Sequence, residues 1–161
     1  MAFLEPCDDK KILNGQLVTF AIWLAITAFG IYLSPSPHGH GTHEQLGLPP
    51  CPSVLFFNRP CPGCGLTTSW TATIHGRFIE AFHAHPLGPL LYLGFTYVAL
   101  VGLWAYTKKL RIDTGGRAWS VGMMVGALVF FGFGFIRFAL NDHFAAPDEI
   151  TNYVQRLSRK S

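Results

Sequence analysis

Along this chain, long apolar runs alternate with polar, turn-rich stretches. Three runs stand out, at 17–33, 87–106 and 119–140. Each meets the roughly 17–25 apolar residues that a helix needs to cross a hydrocarbon core. Together they predict an all-α integral membrane protein with three transmembrane helices in a single membrane domain, 1–161. The first run follows Lys10 and Lys11 and precedes Ser34-Pro35-Ser36-Pro37, a layout shared with secretory signals. No small-x-small cleavage site is evident, so an uncleaved anchor is expected.

The segment 34–86 is too polar to span. Its first part, 34–52, is rich in Gly, Pro and His, which argues against a regular helix. A short apolar run follows at 54–57. Beyond Gly65, Leu66, Trp70 and Ile74 recur every four residues, the spacing of one helical face. Hydroxyls at Thr67, Thr68, Ser69, Thr71 and Thr73 can bond back to carbonyls in apolar surroundings. Gly76 is expected to end this helix, 77–83 to form another, and Pro86 to set the boundary before the second span. Short helices of this kind are expected to lie on the membrane surface or dip into it. At the other end of the chain, Pro147, Asp148 and Glu149 precede Arg156 and Arg159, the order that complements a helix dipole. Ile150, Tyr153, Val154 and Leu157 share one face, which predicts an amphipathic C-terminal helix over 147–159.

Composition agrees with a bilayer location: half of the residues are hydrophobic and only 13% are charged, against about 25% in soluble domains. The mean hydropathy is +0.31. Charge adds an orientation. The loop 107–118 carries Lys108, Lys109, Arg111 and Arg117 against Asp113, whereas 34–86 carries only Arg59 and Arg77. Positive charge favours the cytoplasmic side. The N-terminus and the basic loop are therefore expected in the cytoplasm, with 34–86 and the C-terminus on the periplasmic or external side. The net charge of +3 is spread over membrane flanks and the tail, which gives no basic face for nucleic acid. Phosphate-cradling loops, dinucleotide fingerprints, Ser-His-Asp signatures and internal repeats are all missing.

The chemistry concentrates in Cys61-Pro62-Gly63-Cys64-Gly65-Leu66-Thr67, with Cys51-Pro52 upstream. This turn places sulfur at a membrane surface, and three uses fit it. Cys51, Cys61 and Cys64 can form a structural disulfide in an oxidising compartment, although three outward cysteines leave one unpaired and Cys7 is expected on the other side. Thiol-disulfide exchange is the second use, because a helix start stabilises a thiolate; Cys61 would attack and Cys64 resolve, or the reverse. The third is metal binding. A CPGCG knuckle is half of a zinc-ligand layout, and Cys51 with His75, His83 or His85 would complete it. Haem attachment is disfavoured, since no His directly follows Cys64. His38, His40 and His43 form a second candidate copper or zinc loop, whose ordinary fate is solvation. His83 and His85 are two apart and point apart on a helix, which fits a capping or interfacial role.

The third span holds Gly122 and Gly126, four apart, the spacing of a helix-association face for another subunit or for the other spans. Arg137 lies near its end and is expected to snorkel outward toward Asp142.

The string Cys-Pro-Gly-Cys-Gly-Leu-Thr, with Cys51-Pro52, His75-Gly76, Ala81 and Pro86-Leu87 around it, resembles the small bacterial membrane proteins of domain-of-unknown-function family 2752 over about 50–103. Thr68 and His85 depart from that pattern, which has Arg and Asn there. The resemblance implies a multi-pass protein of the bacterial inner membrane, and it singles out the cysteines with Pro62, Gly63, Gly65, Thr67 and Pro86 without implying an activity. The expected function is a non-enzymatic accessory or structural subunit of a larger membrane complex, with lipid and other membrane subunits as partners and 34–86 as a docking segment. The alternatives are a thiol-disulfide oxidoreductase using Cys61 and Cys64, and a metal-binding membrane protein with zinc as the cofactor.

Overall fold

The computed structural model describes residues 4–6, 9–49, 51–112, 116–141, 144–145 and 151. In chain order the elements are β1 (Leu4–Pro6), α1 (Lys10–Tyr32), a 3-10 turn (Thr42–Leu46), α2 (Pro52–Phe57), α3 (Leu66–Ile74), α4 (Phe78–Ala84), α5 (Gly88–Thr107), β2 (Leu110–Ile112) and α6 (Arg117–Leu140). Three of them, α1, α5 and α6, are long and apolar enough to cross a membrane, which is the all-α multi-pass architecture expected from the sequence. One start differs from expectation. Helix α1 begins at Lys10, well before residue 17, because Asp9 caps it: its carboxylate accepts the Lys11 amide at 2.8 Å.

Helices α1 and α5 form an antiparallel pair. Trp23 Nε1 donates to Thr96 Oγ1 at 2.9 Å and the Thr27 and Tyr92 hydroxyls meet at 2.9 Å. Gln16 Nε2 donates to the Leu110 carbonyl at 3.0 Å, just beyond the end of α5. On α5, Ala99, Gly102 and Ala105 are buried, and such small side chains let backbones approach where lipid gives no hydrophobic drive to associate. At the Gln16 end, β1 and β2 pair antiparallel with Leu4 opposite Ile112. This short ribbon, absent from the expectation, ties the N-terminal segment to the basic loop.

The opposite end carries the Cys/His segment. Here α3 runs across the helix ends: His75 Nε2 lies 3.1 Å from the Gly30 carbonyl and 3.0 Å from that of Leu33, at the close of α1. Its buried residues are Thr68, Ser69, Thr71, Ala72 and Thr73, while Leu66, Trp70 and Ile74 are only half-buried. The hydroxyl-bearing face thus points into the protein, a choice of face that the spacing alone left open. The reason is local: the Thr42 and Thr68 hydroxyls meet at 2.8 Å, Thr73 Oγ1 donates to the Ser69 carbonyl at 2.7 Å, and Ser69 Oγ donates to the His85 carbonyl at 3.3 Å. Gly88 sits so close to Ser69 that a Cβ would overlap its hydroxyl.

Helix α6 is different. Only Gly134 is buried along its length, where a Cβ would overlap Pro62 of the Cys turn. A Cβ added at Gly122 or Gly126 would meet nothing within 4 Å, so neither lies at a close approach to another described span. The amphipathic helix expected over 147–159 lies outside the described residues apart from Thr151, as does Cys7.

Candidate functional site

The site begins with a local fold that brings distant cysteines together. Cys51 is the N-cap of α2, whose first residue is Pro52, a position where a missing N–H costs nothing. Asn58 ends the helix in the left-handed conformation, φ 49°, a region that Asn tolerates better than most residues. The chain then returns alongside α2: Arg59 N–H donates to the Ser53 carbonyl at 3.4 Å, and Ser53 Oγ donates back to the Arg59 carbonyl at 2.8 Å. This return sets Cys61 Sγ 3.3 Å from Cys51 Sγ. In the next turn the Cys64 amide donates to the Cys61 carbonyl at 3.0 Å and the Cys61 amide to Cys64 Sγ at 3.2 Å. All three sulfurs lie within 4.8 Å of one another, and no disulfide joins them in this structure.

The two glycines of the turn have different physical standing. Gly65 has φ +84°, and a Cβ there would meet the Ala84 and Gly39 carbonyl oxygens, so this position requires glycine twice over. Gly63 is exposed, and a Cβ added there would meet nothing within 4 Å. Thr67 and Pro86 are exposed, whereas Pro62 is wedged against Gly134 of α6.

The sulfurs are not equivalent. Cys61 is acidified to about 5, first by the Cys64 thiol and then, against the opposing effect of burial, by the Cys51 thiol and the Gly63 and Cys64 amides. Cys64 is only 5% exposed and shifts the other way: the interaction with Cys61 and then burial hold its proton on. One thiolate at Cys61, supported by neighbouring S–H and N–H donors, is the resting arrangement near neutrality.

Around the sulfurs the surroundings are apolar. Val54 and Ala145 are buried with Cys64, and Phe144 packs against the cluster. Asn58 fastens residues 144 and 145 there: the Phe144 amide donates to the Asn58 carbonyl at 3.1 Å, the Ala145 amide to Asn58 Oδ1 at 2.8 Å, and Asn58 Nδ2 to the Ala145 carbonyl at 3.3 Å. Two cations join α6 to the turn. Arg137 Nη1 donates to the Cys64 carbonyl at 3.1 Å, with its guanidinium 5.8 Å from the Phe133 ring and 5.6 Å from that of Phe144. Arg59 Nη1 donates to the Phe138 carbonyl at 3.2 Å. Arg137 therefore faces the Cys turn; Asp142, its expected partner, lies outside the described residues.

None of the histidines expected as ligands joins the cysteines. His75 is engaged by the end of α1. His83 is exposed in a groove with His38 and Glu80. His85 is fully buried, its ring stacked on Phe130 with a centroid distance of 5.9 Å. Its Nε2 lies 3.0 Å from the Pro62 carbonyl, so that nitrogen carries the proton, and Nδ1 has no partner among the described residues. Burial accordingly lowers its pKa and keeps the ring neutral. His85 props the turn through Nε2. His38, His40 and His43 do not converge either: His40 Nδ1 is 3.0 Å from the His38 carbonyl and its ring lies 4.8 Å from Phe144, while His43 Nε2 is 3.2 Å from the Pro49 carbonyl.

Sequence reasoning missed Asn58, Arg59 and Phe144, and did not connect Arg137 with the cysteines. One usable signal was present: an ionisable residue inside an apolar span usually has a partner within the protein. At the two positions that depart from the family pattern, Thr68 bonds Thr42 and His85 faces Pro62. No curated protein and no solved structure matches the chain. The family model described as protein of unknown function (DUF2752) matches residues 51–99, which is the family that the sequence resembles and the stretch that carries all three converging cysteines.

Proposed function

We propose that this is a membrane-anchored metal-binding protein whose Cys51, Cys61 and Cys64 thiolates hold one thiophilic ion at the outward membrane surface. The observation that carries the reading is the mutual approach of three sulfurs within 4.8 Å, contributed by two separate turns. Amide N–H groups of Gly63 and Cys64 directed at Cys61 offset thiolate charge, and the Arg137 guanidinium adds a cation nearby. Elemental analysis of the natively isolated protein tests it. One zinc or copper per chain is expected, lost in the Cys61→Ser/Cys64→Ser double variant; protein that is metal-free and takes up neither ion would sink the reading.

A second reading rests on the unequal thiols. An acidified, half-exposed Cys61 beside a buried, protonated Cys64 is the pairing that thiol-disulfide exchange uses, with Cys61 attacking and Cys64 or Cys51 resolving. Cys61→Ser would then abolish reduction of a model disulfide, and an unchanged rate would remove this alternative. Either chemistry is compatible with an accessory role in a larger membrane complex. The almost bare apolar length of α6 supports association with other subunits, and native mass measurement in mild detergent tests it: a partner-free monomer after gentle isolation counts against it.

A further inference from the structure

We propose that the three-sulfur set is a copper(I) site of coordination number three, with Val54 and the Asn58-fastened residues 144–145 standing against the sulfurs in place of a fourth donor. The inference rests on the metal-binding reading above and names its ion. Thiolate donors select copper(I), zinc or iron–sulfur chemistry. A structural zinc site needs four protein ligands, and among the described residues only three potential ligand side chains converge here. A catalytic zinc site keeps three ligands and a water and works with a nearby general base. No carboxylate joins the cluster among the described residues; Glu80 is paired with Arg77 on α4, and Glu44 lies in the 3-10 turn.

The surroundings point the same way. Among the described residues, the sulfurs are packed against Val54, Phe144 and Ala145, a shell that gives a zinc-bound water no polar partner. A d10 monovalent ion that is content with soft donors alone loses least in such a shell. Entry remains open from the side of Cys51 and Cys61, which are only partly buried. Asn58 accepts from the Phe144 amide through its backbone carbonyl, and its side chain accepts from the Ala145 amide and donates to the Ala145 carbonyl, which makes Asn58 the positioning residue for the apolar cover. Second-sphere partners of this kind change metal affinity by about 10–100-fold when removed.

The test uses the full-length protein in detergent micelles, reduced and anaerobic, loaded in parallel with copper(I) and with zinc(II) and then challenged with a chelator for each ion. Copper(I) is expected to stay at one per chain, with an X-ray absorption shell of three sulfurs and no oxygen or nitrogen, while zinc is stripped. Asn58→Gly, which keeps the left-handed backbone that Cys51 depends on and removes only the side chain, should lower copper(I) affinity by about 10–100-fold and let a light-atom ligand into the shell. Zinc retained with an oxygen or nitrogen fourth ligand, or a copper shell that already contains one, would overturn the copper assignment and leave the metal-binding reading standing. Retention of neither ion would overturn both.

Discussion

The α1–α5 pair and α6 are all of membrane-spanning length, yet they are held in opposite ways. Within the pair, hydrogen bonds at Trp23–Thr96 and Thr27–Tyr92 join the helices directly, and buried small residues bring the backbones together. Helix α6 shows no such support among the described residues: Gly134 alone is buried, and side-chain bonds join its C-terminal part to the Cys turn through Arg137 and Arg59. The pair is a helix hairpin in its own right. The third span is a tethered helix, and its tether is the candidate metal site. A change in the cysteine turn should therefore be felt along α6 and hardly at all between α1 and α5.

The contrast is broken most directly at Gly134. A Cβ there would overlap backbone and ring atoms of Pro62, whereas one at Gly126 meets nothing within 4 Å. Gly134→Val should destabilise the docking of α6 by about 3 kcal/mol, the upper range for overpacking, and Gly126→Val should leave it unchanged. Protease susceptibility of the α5–α6 connection in micelles reads the difference; equal behaviour of the two variants would mean that α6 is not held at the turn. Arg137→Met comes next. It removes a charged donor from the Cys64 carbonyl and two ring contacts, and should cost about 1.5–3 kcal/mol by the same assay.

How much of this was legible beforehand follows the same division. Spans are written in continuous apolar runs, and α5 and α6 begin and end within two residues of where hydropathy puts them. The early start of α1 was missed because hydropathy ignores a cap such as Asp9. Short helices after the CPGCG turn were readable from Gly65, Gly76 and Pro86, but the inward hydroxyl face of α3 was not, since four-residue spacing of Leu66, Trp70 and Ile74 says nothing about which face meets protein. Within the site, the motif named Cys61 and Cys64. The convergence of Cys51 depends on a left-handed Asn58 ending α2, and Arg137 belongs to the site only because Gly134 lets α6 touch Pro62. Contacts set by close approach of segments some 70 residues apart leave no periodic trace in a sequence.

A pH titration sharpens the comparison at the tether itself. Cys61 has its pKa lowered to about 5, chiefly by the Cys64 thiol, so it is a thiolate throughout the neutral range. Its alkylation rate in metal-free protein should rise as pH climbs through about 5 and level off by neutrality, where an ordinary thiol would still be rising toward its midpoint at about 8.5. Cys64, whose proton is held on, should stay unreactive over the same range. Cys64→Ala removes the largest cause and should move the Cys61 midpoint upward. A midpoint that stays put would assign the acidity to the Cys51 thiol and the turn amides instead.

The smallest effect is expected where the hydrogen bonds look most conspicuous. Trp23→Phe deletes the bond to Thr96 Oγ1, but interhelical bonds in membranes are worth about 0.6 kcal/mol on average, and Thr96 Oγ1 retains its bond to the Tyr92 carbonyl at 2.8 Å. Thermal unfolding in mild detergent should shift only slightly, and the Cys61 titration should not move at all, because the hairpin and the tether share no side chain in these contacts. If instead Trp23→Phe shifts the Cys61 midpoint as Cys64→Ala does, the two regions are coupled through α3, which touches the end of α1 at His75 and opens at the Cys turn. The tethered-helix description would then give way to a single cooperative unit in which the candidate metal site reports on the whole bundle.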